Sequence, residues 1–150
     1  MNAVHMILPV FLAQAVYTDM TQTRISNRLI IMGLIVGFCF RVITEGSIGI
    51  IIFVVNVFIP VIFLFLLFQM RALGAGDIKL FSMLGAFIST KQLIRLMVAA
   101  FFVGALLGIC KILYQFIFLK YEIGKLTKIH FSPAILIAYI LLFGGDLWQR

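Results

Sequence analysis

Residues 48–70 read IGIIIFVVNVFIPVIFLFLLFQM, a run that contains no charged side chain. A helix of this length measures about 34 Å, which is enough to cross the roughly 30 Å hydrocarbon core of a bilayer. Asn56 and Pro60 lie within the run and indicate a face that packs against other helices, with a kink at the proline. The run therefore predicts a membrane-spanning helix.

The composition of the chain extends this interpretation to the complete fold. Of the 150 residues, 64% are hydrophobic, whereas soluble domains are about 45–50% apolar. The formal net charge is +7, with the basic residues placed singly between apolar runs. This pattern lacks the contiguous basic face of a nucleic-acid-binding protein and predicts contact with membrane lipid instead. We expect one all-α domain over residues 1–150, a polytopic membrane bundle of six transmembrane helices.

Polar breaks on both sides of residues 48–70 divide the chain into these six predicted spans. A short turn at residues 45–47 precedes the central run. The loops after the first, third and fifth spans carry more lysine and arginine than the others, so the positive-inside rule predicts a cell-membrane protein with its N-terminus outside. The predicted spans are 1–18, 29–44, 48–70, 77–90, 96–119 and 131–143, the last one broadening to Trp148.

A glycine-bearing loop follows the third span, and its residues 73–80 read LGAGDIKL. Asp77 is one of only five acidic residues in the chain. Placing a carboxylate inside a membrane costs about 2.5–3.5 kcal/mol even on the mildest scale, so an acid at such a position is a functional candidate. Asp19, which ends the first span, falls on the same predicted cytoplasmic side. The two aspartates are therefore candidates for one catalytic pair.

Two carboxylates at one membrane face suit general acid–base catalysis. The ionised carboxylate takes a proton from water while its neutral partner donates one to the carbonyl oxygen, because like charges about 3 Å apart do not both ionise. Asp77 begins a helix, whose positive end favours a carboxylate, and Asp19 ends one, whose negative end favours the neutral acid. We therefore predict Asp77 as the initial base and Asp19 as the initial acid.

Four further residues near this face are predicted to shape the approach of a substrate. Gly74 and Gly76 permit backbone conformations closed to other residues and the close approach of an extended chain. Asn27 and Lys79 add polar groups at the same face, although a lysine there also suits an anchor that reaches the membrane surface.

Two other interpretations fit the same residues. In the first, Asp19 pairs with Arg24 or Arg28, and Asp77 merely caps a helix. In the second, the protein is a small non-enzymatic transport or channel subunit whose Asp77 lines a polar path. The channel interpretation predicts that the two aspartates lie far apart or line an open aqueous pore, and that Asp19→Ala leaves function largely intact.

The motifs resemble those of type IV prepilin peptidases. Asp19 together with residues 25–27 resembles the first aspartate motif of that family, and residues 74–80, continuing to 85–87, resemble its Gly-x-Gly-Asp motif. Residues 131–134 resemble its proline-containing last span. The resemblance covers nearly the whole chain. It implies a membrane aspartic endopeptidase, with Asp19 and Asp77 as its pair, that cuts prepilin-like precursors at the cytoplasmic face just before their hydrophobic helix.

The chain also departs from the family pattern. The family often has a proline between the isoleucine and asparagine of the first motif, where this chain has Ser26. Longer bacterial members carry an amino-terminal portion with a cysteine-based zinc site linked to N-methylation, whereas this chain has two cysteines. We therefore expect a peptidase-only form, as seen for tight-adherence pilins and archaeal preflagellins, that works without cofactor or metal. The sequence leaves the oligomeric state open and assigns no role to Lys111 or His130.

Overall fold

The computed structural model describes residues 2–22, 25–70, 72–118 and 131–148, and all regular secondary structure in these ranges is helical. The predicted all-α class is therefore confirmed. The basic loop predicted before the last span, including His130, lies outside the described residues. The helices are α1 (Asn2–Gln22), α2 (Asn27–Gln69), α3 (Ala75–Gly85), α4 (Thr90–Phe118) and α5 (Ser132–Trp148).

Helix α2 is a hairpin whose two arms meet at Gly46. Gly46 has φ +61° and ψ −139°, and it is the only glycine with positive φ in the described ranges. The rings of Phe38 and Phe53 are 5.2 Å apart between centroids, whereas a straight helix would separate them by about 22 Å. Gly49 likewise packs directly on the carbonyl of Arg41. The chain therefore reverses at the turn predicted from residues 45–47.

Helix α3 lies in the core, against both arms of α2. Its second half and the turn that follows, residues 80–88, are buried without a break. Glycines make this close contact possible. A Cβ atom at Gly33 on the first arm would overlap the side chain of Met83, and one at Gly85 would overlap the carbonyl of Asn56 on the second arm.

The predicted fourth span, 77–90, is wrong in its length. Helix α3 has 11 residues, about 16 Å, whereas a helix needs about 20 residues to cross a membrane alone. It ends at Gly85 because the chain turns there: the amides of Phe87 and Ile88 both donate to the carbonyl of Leu84. Lys91 consequently lies in the first turn of α4, where we predicted a break between two spans.

Two described helices are long and apolar enough to cross a membrane, Asn27–Gln69 and Thr90–Tyr114, and a shorter apolar helix runs over Ser132–Gly144. Large apolar side chains cover the outside of these helices; Ile43 is 83% exposed and Phe102 is 74% exposed. Such a surface suits lipid, because water-soluble monomers rarely expose large contiguous apolar patches. The six predicted membrane helices are not confirmed.

A polar network ties α3 to the hairpin at the end of the bundle that holds Gly46. Arg41 is a buried charged residue, only 5% exposed. It forms an ion pair with Glu45 and donates hydrogen bonds to the carbonyls of Ala86 (3.2 Å) and Ile88 (2.6 Å). Asn56 also donates to Ile88, at 2.9 Å. The carbonyls of Ala86 and Ile88, in the turn after α3, are thus satisfied by side chains of both arms of α2.

Replacing Arg41 with methionine should destabilise the fold, because two buried carbonyl oxygens lose their charged donor. We expect the free energy of unfolding to fall by on the order of 3 kcal/mol, measured by thermal or chemical unfolding in detergent. Arg95→Met, at an exposed position of α4, is the matched control. Equal stability of the two variants would contradict the role assigned to Arg41.

Candidate active site

Three helix ends surround a cavity of about 370 Å³ at the end of the bundle opposite Gly46. The last turn of α1 contributes one wall, and the first turns of α2 and α3 contribute the others. The chain can return to this end because α2 folds back on itself. All six predicted site residues line this cavity: Asp19, Asn27, Gly74, Gly76, Asp77 and Lys79.

Asp19 is half-buried and lies inside α1, which continues to Gln22 rather than ending where the first span was predicted to end. Its Oδ2 atom accepts a hydrogen bond of 2.5 Å from the hydroxyl of Ser132, the first residue of α5. No local pattern predicts this contact, since 113 residues separate the two. Of the two arginines considered as ion-pair partners, Arg28 is exposed and Arg24 lies outside the described residues.

Asp77 is half-buried and lies in the first turn of α3, where the positive end of the helix stabilises an acidic side chain. The N-cap of α3 is Gly74, so Asp77 lies inside the first turn and is not the N-cap residue. The Asp77 carboxylate folds back over the cap: a Cβ atom at Gly74 would lie 3.1 Å from Oδ2 of Asp77. Gly74 therefore leaves room for the carboxylate.

The predicted reason for the two glycines needs correction. Gly74 has φ −78° and ψ 147°, a conformation open to any residue, and Gly76 lies inside α3 without a positive φ. Neither position requires the conformational freedom of glycine. The lack of a side chain matters at Gly74, because it leaves room for the Asp77 carboxylate. It matters less at Gly76, where a Cβ atom would make only ordinary contacts of 3.5 Å with Ile25.

Lys79 and Asn27 form the rim of the cavity. The ammonium group of Lys79 donates a hydrogen bond of 3.1 Å to Oδ1 of Asn27, and both side chains are exposed. This bond joins the first turn of α3 to the first turn of α2. A basic and an amide group therefore face the solvent-accessible side of the site.

An apolar groove of about 420 Å³ adjoins the cavity and shares Gly74 and Asp77 with it. Its other walls come from the end of α2, from α4 and from the residue before α5. Sequence reasoning did not predict this groove, because its walls are distant in sequence and apolar like the rest of the chain. The remaining lining residues are Leu67, Ala72, Leu73, Phe101, Gly104, Ala105, Gly108 and Phe131.

A family model described as the type IV leader peptidase family matches residues 6–109. The chain belongs to the type IV leader peptidase family. The resemblance to prepilin peptidases is thereby confirmed, and the family indicates a peptidase that acts on prepilin-like substrates. Together with the two long apolar helices, it indicates a membrane protein. Searches of the curated proteins and of the solved structures found no match.

The two motif glycines of this leader peptidase should respond differently to replacement. Gly74→Ala should displace the Asp77 carboxylate and lower kcat/KM by roughly tenfold or more, because small displacements of catalytic groups are costly. Gly76→Ala should change it by less than about twofold, since the added methyl group fits against Ile25. Cleavage kinetics of both purified variants test this. A larger loss for Gly76→Ala would contradict the geometry.

Proposed function

We propose that this leader peptidase is an aspartic endopeptidase in which Asp19 and Asp77 together cleave one peptide bond of a prepilin-like precursor. One observation carries the proposal: the two aspartates are far apart in sequence, yet they line the same cavity. Family membership supports the hydrolysis of a leader peptide. The substrate is a prepilin-like precursor of the type IV pilin, tight-adherence pilin or preflagellin kind.

Water is the nucleophile in the proposed mechanism. The ionised carboxylate removes a proton as the water oxygen bonds to the carbonyl carbon, and the neutral partner protonates the carbonyl oxygen. The resulting tetrahedral diol then collapses. Its C–N bond breaks as the leaving nitrogen takes the proton that came from water, and a hydroxyl group of the diol returns a proton to the partner. The assignment of Asp77 as initial base and Asp19 as initial acid stays a prediction.

The surroundings of Asp77 support a precursor whose cut bond adjoins an apolar segment. On one side of Asp77 lies the apolar groove, and on the other lies the rim formed by Lys79 and Asn27. A chain that crosses the site would meet polar groups before Asp77 and apolar walls after it, or the reverse. A site with one polar and one apolar side suits a precursor that contains a hydrophobic helix better than a uniformly polar peptide.

The course of the chain supports the proposed cytoplasmic location of the site. Helix α1 ends at the cavity, α2 leaves and returns, and α3 with its following turn reaches the end that holds Arg41. Although α3 is short, it therefore still carries the chain from one end of the bundle to the other. With the more basic loops inside the cell, the N-terminus lies outside and the aspartates lie at the cytoplasmic face.

The channel interpretation is less well supported. It predicts that the aspartates lie far apart or line an open aqueous pore, whereas both line one cavity. The matching family is a family of peptidases, and it covers both aspartates. Both observations favour hydrolysis.

Replacing either aspartate with asparagine should lower the cleavage rate by about 10²–10⁴-fold, because neither residue alone performs both proton transfers. The measurement is the mass of a co-expressed prepilin-like precursor, with and without its leader. Asp146→Asn is a matched control in the last turns of α5, about 21 Å along the helix from Ser132. Normal trimming by either the Asp19 or the Asp77 variant would refute the proposed pair.

Filling the apolar groove should weaken substrate binding. Ala105→Phe places a ring among the groove residues, so we expect KM for the precursor to rise by roughly tenfold. Leu106→Phe, on the neighbouring exposed position of the same helix, is the control and should leave KM unchanged. Equal KM values for the two variants would show that the precursor does not use the groove.

A further inference from the structure

We infer that Ser132 is a positioning residue of this leader peptidase, whose hydroxyl orients the carboxylate of Asp19 for catalysis. The inference rests on the proposed function, since it assumes that Asp19 takes part in proton transfer. Ser132 lies beyond residues 6–109, the part of the chain that matches the family. Its hydrogen bond to Asp19 connects the beginning of α5 to the cavity.

The contact between Ser132 and Asp19 is short, and its donor is buried. The hydroxyl oxygen of Ser132 lies 2.5 Å from Oδ2 of Asp19, and Ser132 is 0% exposed. A short hydrogen bond from a hydroxyl to a carboxylate is stronger than one between neutral groups.

Hydrogen bonds and ring contacts restrain the beginning of α5, so the position of Ser132 is well defined. The carbonyl of Phe131 accepts hydrogen bonds from the amides of Ala134 (3.0 Å) and Ile135 (3.3 Å) in the first turn. The ring of Phe131 lies 6.4 Å from that of Phe81 on α3 and 5.4 Å from that of Phe101 on α4. Residue 131 is therefore wedged between two helices, and the adjacent serine has little freedom to move.

The ring of Phe131 packs directly on Gly104, where there is no side chain. A Cβ atom at Gly104 would overlap this ring. The absence of a side chain at Gly104 thus lets α5 begin close to α4, which sets the position of Ser132. The close packing at Gly104 therefore helps to set the orientation of the Asp19 carboxylate.

Helix α5 also helps to determine where the helix that carries Asp19 lies. Helix α1 packs mainly on α5 and only slightly on α2. The placement of Asp19 relative to Asp77 on α3 is therefore transmitted through α5. An aspartate has two rotatable side-chain bonds, and misplacing a reacting group by about 1 Å can reduce a rate by about 100-fold.

The test compares Ser132→Ala and Ser132→Thr with wild type in the full-length protein in detergent or liposomes. We expect Ser132→Ala to lower kcat by roughly tenfold while KM for the precursor stays within about twofold. Ser132→Thr keeps the hydroxyl and should restore most of kcat. Ser82→Ala is the matched control: Ser82 is also a buried helical serine, but its hydroxyl donates to the carbonyl of Ile78 in its own helix.

Wild-type kcat in Ser132→Ala would overturn the inference. So would a kcat in Ser132→Ala equal to that of Ser82→Ala, or a threonine variant that is folded, by its unfolding midpoint, yet as slow as the alanine variant. Asp19→Asn separates this failure from that of the proposed function. If Asp19→Asn is inactive and Ser132→Ala is fully active, only the role of Ser132 is wrong; if Asp19→Asn cleaves normally, the proposed aspartate pair is wrong.

Discussion

The reversal of α2 at Gly46 is the constraint on which the rest of the structure depends. Without it, the 43 residues of α2 would form a rod about 65 Å long and would carry Asp77 far from Asp19. A positive φ at residue 46 is accessible to glycine at little cost, whereas most other residues would be strained there. One backbone conformation therefore decides whether the two acids share a cavity.

One end of the bundle stabilises α3, and the other end contains the candidate active site. The side chains of Arg41 and Asn56 lie at the end that holds Gly46. They donate hydrogen bonds to the turn after α3, which restrain the position of α3 along its axis. At the other end, the N-cap of α3 is a glycine, which supplies no side-chain hydrogen bond to the first turn that faces the cavity. The core holds α3 between the arms of α2, so the position of Asp77 is determined by contacts far from the chemistry.

Local features of the sequence were enough to predict the helical class, the turn at residues 45–47 and the location of Asp19 and Asp77 at one end of the bundle, because hydropathy and isolated acids are visible in short windows. The length of α3, the burial of Arg41 and the contact between Ser132 and Asp19 were not predictable in this way. Each depends on pairing between residues that are distant in sequence. The apolar groove was also hidden, because in a chain this hydrophobic its walls resemble the lipid-facing surface.

The account is tested most directly by asking whether residues 19 and 77 are neighbours in the membrane. Asp19→Cys and Asp77→Cys are combined in a chain whose Cys39 and Cys110 are replaced by serine, and membranes are treated with a short bifunctional thiol reagent. Mass spectrometry should detect an intramolecular link between positions 19 and 77, and none when Asp19→Cys is combined with Ser47→Cys beside the hairpin turn. A link between 19 and 47, or none between 19 and 77, would contradict a shared site.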